Sequence, residues 1–182
     1  MSSVNVYLAD GFEEIEALAV VDILRRANIE TILVSISKQK EVLGAHQIKV
    51  VADVILSEYN NQVADLIFLP GGMPGTKNLE ECTELREVVL HYGLASKPIA
   101  AICAAPRILG KLGLLKGYEA VCYPGNEQYL EGATLFPGKL VVSKNIITGK
   151  GAGVAIDFAL KIVELIEGIA KADKIRSSII AD

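Results

Sequence analysis

The sequence predicts an α/β domain with a mainly parallel sheet and helices on both faces of that sheet. Short runs of apolar and β-branched residues alternate with segments of helical length along the chain. The hydrophobic fraction is 51% and the mean hydropathy is +0.39, which suits strands that are buried on both faces. The 182 residues suffice for one domain with a complete core, and no linker or repeat divides residues 1–182.

Predicted strands and helices alternate along the first half of the chain, as this fold class requires. Acidic residues open the first predicted helix and Arg25-Arg26 close it, as the helix dipole prefers. The stretch from Glu41 to Ala52 is interrupted by Gly44, which predicts an irregular hairpin. The elements predicted up to residue 96 are a strand over 4–9, a helix over 13–27, a strand over 29–36, that hairpin over 41–52, a strand over 65–69 and helices over 76–80 and 83–93.

The second half continues the alternation. Pro106 fits only the first turn of a helix, where a missing N–H costs nothing. The glycine-rich turn Gly149-Lys150-Gly151-Ala152-Gly153 precedes a long amphipathic helix. The elements predicted beyond residue 96 are a strand that starts near Pro98, a helix from 106 to about 113, a strand over 120–123, a helical turn over 127–130, a hairpin of 140–143 and 145–148, and helices over 154–167 and 171–180.

Several predicted strands end in turn-forming or reactive residues. In parallel sheets ligands bind beyond the carboxyl ends of the strands, so these ends should meet along one edge. They are Asp10-Gly11, Pro70-Gly71-Gly72, Cys103, Tyr123-Pro124-Gly125 and Gly149-Lys150-Gly151.

Cys103 lies between the apolar strand residues 99–102 and a predicted helix that begins at Pro106. This sharp strand-to-helix turn is the geometry of a nucleophile elbow, although the G-x-S-x-G spelling of hydrolases is absent. Unpaired N–H groups and the helix dipole should stabilise a thiolate there and lower its pKa from a free value of about 8.5. The alternative is a small cysteine buried in the core. The shared edge favours the functional interpretation.

A cysteine nucleophile usually needs a proton carrier near its sulfur. Neither histidine suits this role: His46 lies in the irregular hairpin, and His91 lies in a helix that leads away from the edge. The carboxyl groups of Glu13, Glu14 and Glu16 are the next candidates, and spacing alone does not choose among them. Ordinary N-terminal helix charge is the preferred interpretation for Glu13 and Glu14.

Backbone donors for an anion are also predicted at this edge. Gly71-Gly72 follows a strand, and its N–H groups together with that of Ala104 could form an oxyanion pocket. A plain turn before a helix is the alternative, because Gly-Gly is common at turns. Tyr123 would either line the pocket or cover the end of the sheet.

Charge and cysteine content exclude several classes of protein. The net charge is −4 without a basic block, so no nucleic-acid partner is expected. No signal peptide is recognisable, and no apolar run reaches the roughly 18 residues of a membrane span. Three distant cysteines without a C-x-x-C pair indicate a reducing compartment, with neither a disulfide framework nor a zinc site. We therefore expect a cytoplasmic protein without membrane contact.

No cofactor or metal ion is expected. Gly149-x-Gly-x-Gly is a weak match to a dinucleotide-binding loop, but it follows the last predicted strand rather than the first. No acidic residue about twenty positions further along fits the ribose-binding role, so NAD is rejected.

Four ordered motifs resemble the ThiJ/PfpI superfamily, in its DJ-1-like and bacterial YajL-type branch. The resemblance covers nearly the whole chain. Its marks are residues 9–17 (ADGFEEIEA), 69–72 (LPGG), 100–106 (AAICAAP) and 148–160 (TGKGAGVAIDFAL).

The resemblance implies a flavodoxin-like three-layer sandwich that forms a homodimer. It selects Glu16 as the carboxyl partner of Cys103 and places the N–H groups of Gly72 and Ala104 around the sulfur or a bound anion. Two departures stand out: Tyr123 occupies the position of a histidine in the human-type branch, and Ala152 replaces a proline. Protease-type relatives carry a histidine directly after the cysteine, whereas this chain has alanine there, which argues against a protease.

The expected function is reactive-carbonyl defence of the glyoxalase or protein-deglycase type. Substrates would be methylglyoxal, glyoxal or early glycation adducts, with Cys103 as nucleophile and Glu16 as proton carrier. The alternative is a redox sensor or chaperone in which the same cysteine oxidises to a sulfinate without turnover.

Overall fold

The computed structural model describes residues 2–59 and 64–181. Its helices are α1 (Glu14–Arg26), α2 (Gly75–Glu81), α3 (Thr83–Leu94), α4 (Pro106–Lys111), α5 (Ala155–Glu167) and α6 (Ile169–Ser178). Its strands are β1 (Ser3–Leu8), β2 (Glu30–Ser35), β3 (Glu41–Leu43), β4 (Lys49–Val51), β5 (Val54–Ile55), β6 (Leu66–Leu69), β7 (Ile99–Ile102), β8 (Glu119–Ala120), β9 (Thr134–Leu135), β10 (Leu140–Ser143) and β11 (Ile146–Gly149). Short 3₁₀ turns cover Leu56–Glu58, Glu127–Tyr129 and Ala152–Val154.

Seven strands form the main sheet in the order β10-β11-β7-β6-β1-β2-β5. Every neighbouring pair is parallel except β10 and β11, which form the predicted antiparallel hairpin. The sheet is therefore mainly parallel, as the sequence predicts, and the α/β flavodoxin-like class is confirmed.

Two hydrophobic cores lie on opposite faces of this sheet. In β6, Phe68 faces the core shared with α1, α5 and α6, whereas Ile67 and Leu69 face the core shared with α2, α3 and α4. The Phe68 and Phe158 rings pack with centroids 5.7 Å apart and join the sheet to α5. Because both faces are covered, the inner strands need apolar residues at every position, which explains their unbroken apolar runs.

Three details differ from the sequence expectation. The predicted strand over 120–123 ends at Ala120 and pairs with β9 in a separate two-stranded sheet. Beyond it the backbone bonds irregularly: the Val121 N–H donates to Thr148 Oγ1, and the Tyr123 N–H donates to the Cys103 carbonyl. Cys122 is therefore not a strand residue. The two-residue edge strand β5 is too short for sequence patterning to find.

None of the helices within residues 2–59 and 64–181 has the length and apolar character needed to cross a membrane.

Candidate active site

Cys103 occupies the turn between β7 and α4, as the sequence predicts. Its φ of 63° lies in the left-handed region, which costs a non-glycine residue of the order of 1–3 kcal/mol. Two backbone hydrogen bonds hold this conformation. The Cys103 N–H donates to the Gly149 carbonyl at 2.9 Å, and its own carbonyl accepts from the Tyr123 N–H at 2.7 Å. A strained residue that its surroundings fix in place is common at functional sites.

Glu16 brings a fully buried carboxyl group to the same edge of the sheet. Its Oε2 accepts a hydrogen bond from the Gly71 N–H at 2.8 Å. A Cβ at position 71 would lie 2.7 Å from that oxygen and 3.1 Å from Cys103 Sγ. The carboxyl and thiol groups therefore meet across this glycine, and any larger residue there would force them apart.

The backbone N–H groups of Gly72 and Ala104 both reach the Cys103 sulfur, where they favour the thiolate. Gly72 has a φ of 92°, and a Cβ there would lie 2.3 Å from the Glu13 backbone nitrogen. Glycine is therefore required for this approach. The structure thus brings together the cysteine, the carboxyl group and both backbone donors that the sequence and the resemblance select.

The ionisation of this pair differs from the sequence expectation. Burial is the main cause that raises the pKa of the Cys103 thiol to about 12, and the adjacent Glu16 carboxylate is the second. Burial also raises the pKa of Glu16 to about 7, against the hydrogen bond from Gly71. The prediction of a lowered thiol pKa is therefore wrong. Two N–H groups near a six-residue helix do not outweigh burial beside a carboxylate.

Two groups this close share their protons and titrate as a pair. Between pH 7 and pH 12 the pair of Cys103 and Glu16 holds one proton. Burial and the carboxylate favour that proton on sulfur, whereas the backbone donors support a minor form with the proton on Glu16. That minor form is a thiolate beside a neutral acid, which is the arrangement a nucleophile needs.

The glycine-rich turn after β11 lies over the pair. A Cβ at Gly151 would lie 3.8 Å from Glu16 Oε1, 3.9 Å from Cys103 Sγ and 3.5 Å from the Tyr123 ring. Oε1 is buried and makes no hydrogen bond of normal geometry within the described residues, although the Ala152 N–H lies close enough to lower the pKa of Glu16 slightly. A proline at position 152 would have no N–H, so the Ala152 departure adds a donor facing this carboxyl group.

A cavity of about 390 Å³ opens beside this turn. Tyr123 forms one wall with its side chain 54% exposed, and Lys139 and Lys150 line the rim. Tyr123 thus lines this cavity. Lys150 follows a predicted strand end and is therefore expected at this edge, although no role is predicted for it. No sequence pattern places Lys139 here, because it lies at the far end of the final hairpin.

Glu14 does not have the role of plain helix charge that the sequence favours. Its side chain is buried, and its Oε1 accepts the N–H of His46 at 2.7 Å while Oε2 contacts His46 Nδ1 at 2.8 Å. These bonds fasten the loop between β3 and β4 to the start of α1, and they lower the pKa of Glu14 despite its burial. Potential metal-ligating atoms of Glu13, Glu14 and His46 lie within 4.8 Å of one another, but these contacts account for their arrangement.

The other two cysteines lie outside this arrangement. Cys122 is buried, Cys82 is half-buried between α2 and α3, and all three thiols are free. Burial raises the pKa of Cys122 to about 11. Of the three, only Cys103 has both a carboxyl partner and two backbone donors at its sulfur among the described residues.

A parallel-sheet sandwich with a cysteine on a strand-to-helix elbow and a buried carboxyl group beside it defines a class of cysteine-elbow α/β proteins. The DJ-1/PfpI family matches residues 2–165. The chain therefore belongs to the DJ-1/PfpI family, as the sequence motifs indicate.

Curated relatives are similar along nearly the whole chain. Protein DJ-1 homolog A of Arabidopsis thaliana is 36% identical over 178 residues, which are 96% of this chain and 45% of that protein. The chain thus spans about half the length of the Arabidopsis proteins it matches. Glutathione-independent glyoxalase DJR-1.2 of Caenorhabditis elegans is 34% identical over 164 residues, which are 90% of this chain and 87% of that protein.

Solved structures share the fold closely. Oxidized Toxoplasma gondii DJ-1 is 35% identical with a TM-score of 0.95, covering 99% of this chain and 98% of that one. A cysteine-to-alanine mutant of a DJ-1 superfamily protein from Salmonella typhimurium is 35% identical with a TM-score of 0.94, over 99% of this chain and 98% of that one.

Proposed function

We propose that the chain is a cofactor-independent enzyme of reactive-carbonyl defence, acting on α-oxoaldehydes such as methylglyoxal or glyoxal, or on early glycation adducts. The observation that carries this proposal is the meeting of the Cys103 thiol and the Glu16 carboxyl across Gly71, with two backbone donors at the sulfur. A nucleophile beside a group that both gives and accepts protons is what an α-oxoaldehyde isomerisation requires.

The reaction begins from the minor form in which Glu16 holds the proton. The Cys103 thiolate forms a C–S bond to the aldehyde carbon of methylglyoxal, and Glu16 gives its proton to the resulting oxyanion, which yields a hemithioacetal. The Glu16 carboxylate then removes the hydrogen from the former aldehyde carbon, and an enediol forms. Return of that proton to the neighbouring carbon gives a lactoyl thioester.

Water completes the cycle. Hydrolysis of the thioester releases lactate and restores the Cys103 thiol. One carbon of the substrate is oxidised and its neighbour is reduced, so the reaction needs no external oxidant or reductant. The pKa of Glu16, raised to about 7, suits a group that must exchange protons near neutral pH.

One relative supports this activity by name. The Caenorhabditis elegans relative is called a glutathione-independent glyoxalase, and it is 34% identical to this chain. That name describes the relative, and its activity is proposed here for this chain on the strength of the site.

Lactate formation from methylglyoxal tests the proposal. We expect Cys103→Ala and Glu16→Gln each to lower turnover by at least about a hundredfold, because each removes a group from the bond-making sequence. Cys82→Ala is the matched control, since this half-buried thiol has no part in the mechanism. Equal turnover by the wild type and Cys103→Ala would refute the proposal.

A second candidate is a redox sensor or chaperone that uses the same sulfur. Cys103 is half-buried rather than buried, and its backbone donors and a protonated Glu16 are suited to hydrogen-bond a sulfinate. Mild peroxide followed by peptide mass spectrometry separates the candidates. Selective oxidation of Cys103 without carbonyl turnover favours the sensor, whereas oxidation no faster than at Cys82 and Cys122 rejects it.

We also propose a homodimer located in the cytoplasm. The family resemblance supports this assembly and favours α1 as the dimer face. Arg25 and Arg26 of this helix pair with Asp53 and Asp22, and Ile15, which is 59% exposed, is a position at which the face can be tested. Sedimentation of the wild type and Ile15→Asp tests the assembly: a dimer that the substitution dissociates supports it, and a wild-type monomer contradicts it.

A further inference from the structure

We propose that this site selects carbonyl substrates that carry an anionic group, a phosphate or a carboxylate, which Lys150 and Lys139 bind at the rim of the cavity beside Cys103. This inference rests on the proposed function for the chemistry at the carbonyl, and it adds the class of substrate. Methylglyoxal and glyoxal have no charge and would leave both lysines unused.

The first step is the position of the cavity relative to the sulfur. Gly151 belongs to the cavity wall, and a Cβ there would point within 3.9 Å of Cys103 Sγ and 3.8 Å of Glu16 Oε1. The Tyr123 ring lies 3.5 Å from the same point. Neither Cys103 nor Glu16 lines the cavity itself, but Gly151 and Tyr123 adjoin both the cavity and the sulfur. A molecule whose carbonyl carbon meets the sulfur would therefore extend past Gly151 to reach this cavity.

The second step is the charge of the cavity rim. The lining consists of Tyr123, Pro124, the two lysines and residues 151–154, and it contains no acidic side chain. The Lys150 N–H donates to the Lys139 carbonyl at 2.9 Å, so the backbone holds the two positions side by side. Neither lysine forms an ion pair within residues 2–59 and 64–181.

The third step is how far this charge reaches into the site. Lys150 is half-buried, and its charge acts to lower the pKa of the buried thiol of Cys122, although burial and Glu127 outweigh it. Glu127 is the acidic group that acts on Cys122, and its Oε2 accepts the Gly125 N–H at 2.7 Å. Lys150 therefore acts on the residue that precedes Tyr123, where the opposing charge of Glu127 is the stronger of the two.

The fourth step is the size of the cavity. About 390 Å³ is far more than methylglyoxal needs, and its walls offer apolar contact for a short carbon chain. An anionic group at the far end of that chain would meet the lysines while the aldehyde carbon meets the sulfur. Charge-assisted hydrogen bonds from lysine to phosphate or carboxylate are stronger than hydrogen bonds between neutral groups. The two lysines would therefore favour anionic substrates over neutral ones.

Turnover of matched substrates tests the proposal. Hydroxymethylglyoxal, its phosphate ester and carboxyethylglyoxal are each converted by the same isomerisation and hydrolysis into a 2-hydroxy acid, and the added group takes no part in the chemistry. We expect kcat/KM to favour the phosphate ester or the carboxylate over the neutral compound by roughly tenfold. The better of the two anionic compounds identifies the group that the rim prefers.

Variants assign the preference to the rim. Lys150→Met and Lys139→Met should each reduce the ratio of anionic to neutral kcat/KM, and Lys150→Arg should keep it. Lys174→Met makes the same charge change on α6, where the side chain is exposed, and should leave the ratio unchanged. A wild type without any anionic preference, or a preference that survives in the double Lys150→Met, Lys139→Met variant, would overturn the proposal.

A second measurement does not depend on turnover. Iodoacetate and iodoacetamide alkylate the same sulfur and differ in charge, so their rate ratio at Cys103 reports the local field. We expect this ratio to fall by roughly tenfold in the double lysine variant and to fall in the wild type as salt is added. If no α-oxoaldehyde is turned over but the ratio falls, the proposed function fails and the anion site stands. An unchanged ratio removes the anion site.

Discussion

Replacing Glu16 by Gln should make the Cys103 thiol more acidic while abolishing carbonyl turnover. Glutamine keeps the size of the side chain and removes its charge. The Glu16 carboxylate is one of the causes that raise the pKa of the thiol to about 12, so its loss must lower that pKa. Burial and the backbone donors remain, so the change removes what Glu16 contributes to the thiol pKa, which is its charge and its hydrogen bond to the thiol.

The expected magnitude follows from the geometry. Glu16 Oε2 and Cys103 Sγ lie 2.7 Å and 3.1 Å from one point beside Gly71, so they are at most about 6 Å apart. Two charges at about 6 Å with an effective dielectric of about 20 interact by about 3 kcal/mol, which corresponds to about two pKa units. The pKa of the thiol should therefore fall from about 12 to about 10.

Alkylation by iodoacetamide, followed at the Cys103 peptide across pH, measures this change. Beside a neutral Glu16 the thiol pKa would be about 10, which is about three units above the Glu16 pKa of about 7. At pH 8 the wild-type thiolate therefore exists mainly beside a protonated Glu16, as about one part in a thousand. The variant should hold about one part in a hundred, so alkylation should accelerate about tenfold. Glu41→Gln, which removes the charge of an exposed carboxylate on β3 that pairs with Lys49, is the control and should change the rate little.

The result that refutes this reasoning is a slower alkylation in Glu16→Gln than in the wild type. That outcome would mean that Glu16 normally holds the proton and stabilises the thiolate, so that burial does not dominate the ionisation of the pair.

Three further perturbations give separate tests. Gly71→Ala places a Cβ 2.5 Å from the Cys103 Cβ, so it should abolish turnover and destabilise the fold by about 1–3 kcal/mol in urea unfolding. Gly153→Ala is the control and should keep wild-type stability, because a Cβ at Gly153 has no atom within 4 Å. Equal stability of the two variants would contradict the packing argument. The pKa of Glu16 is about 7 in the folded protein and 4.5 for the ordinary group, so the folded state binds this proton more tightly than the unfolded state. The free energy of unfolding should therefore fall by about 3 kcal/mol as the pH rises from about 4.5 to 7. Glu16→Gln should remove this fall, and an identical pH dependence in the variant and the wild type would contradict the assignment. Glu14→Ala frees the buried loop N–H of His46 and should cost about 1–3 kcal/mol, whereas Glu41→Ala, which removes an exposed ion pair, should cost less than about 1 kcal/mol, and equal costs would contradict the role of Glu14.

Residue patterns in the sequence predict most of the fold and the central residues of the site. Apolar runs mark the inner strands because both faces of the sheet are covered, and Pro106 marks the start of α4 because proline suits the first helical turn. Cys103 and the Gly71-Gly72 pair are found because strand ends in a parallel sheet share one edge.

The remainder depends on contacts that sequence spacing does not encode. The two carboxyl groups in the first turn of α1 differ in their partners, because Glu14 binds the β3–β4 loop and Glu16 binds the Gly71 N–H. The direction of the Cys103 pKa shift depends on burial in three dimensions, so the helix-terminus argument gives the wrong sign. Lys139 reaches the cavity rim because β10, which follows it, pairs with β11, and because its carbonyl accepts the Lys150 N–H.

Carbon NMR of isotopically labelled methylglyoxal bound to Glu16→Gln probes the joint action of Cys103 and Glu16. This variant keeps the nucleophile and lacks the proton carrier, so we expect a resonance from a carbon bonded to both sulfur and oxygen, which disappears when Cys103→Ser is added. Lactate formation by the wild type without any such sulfur-bound species, or the same resonance in the double variant, would contradict the joint role of Cys103 and Glu16.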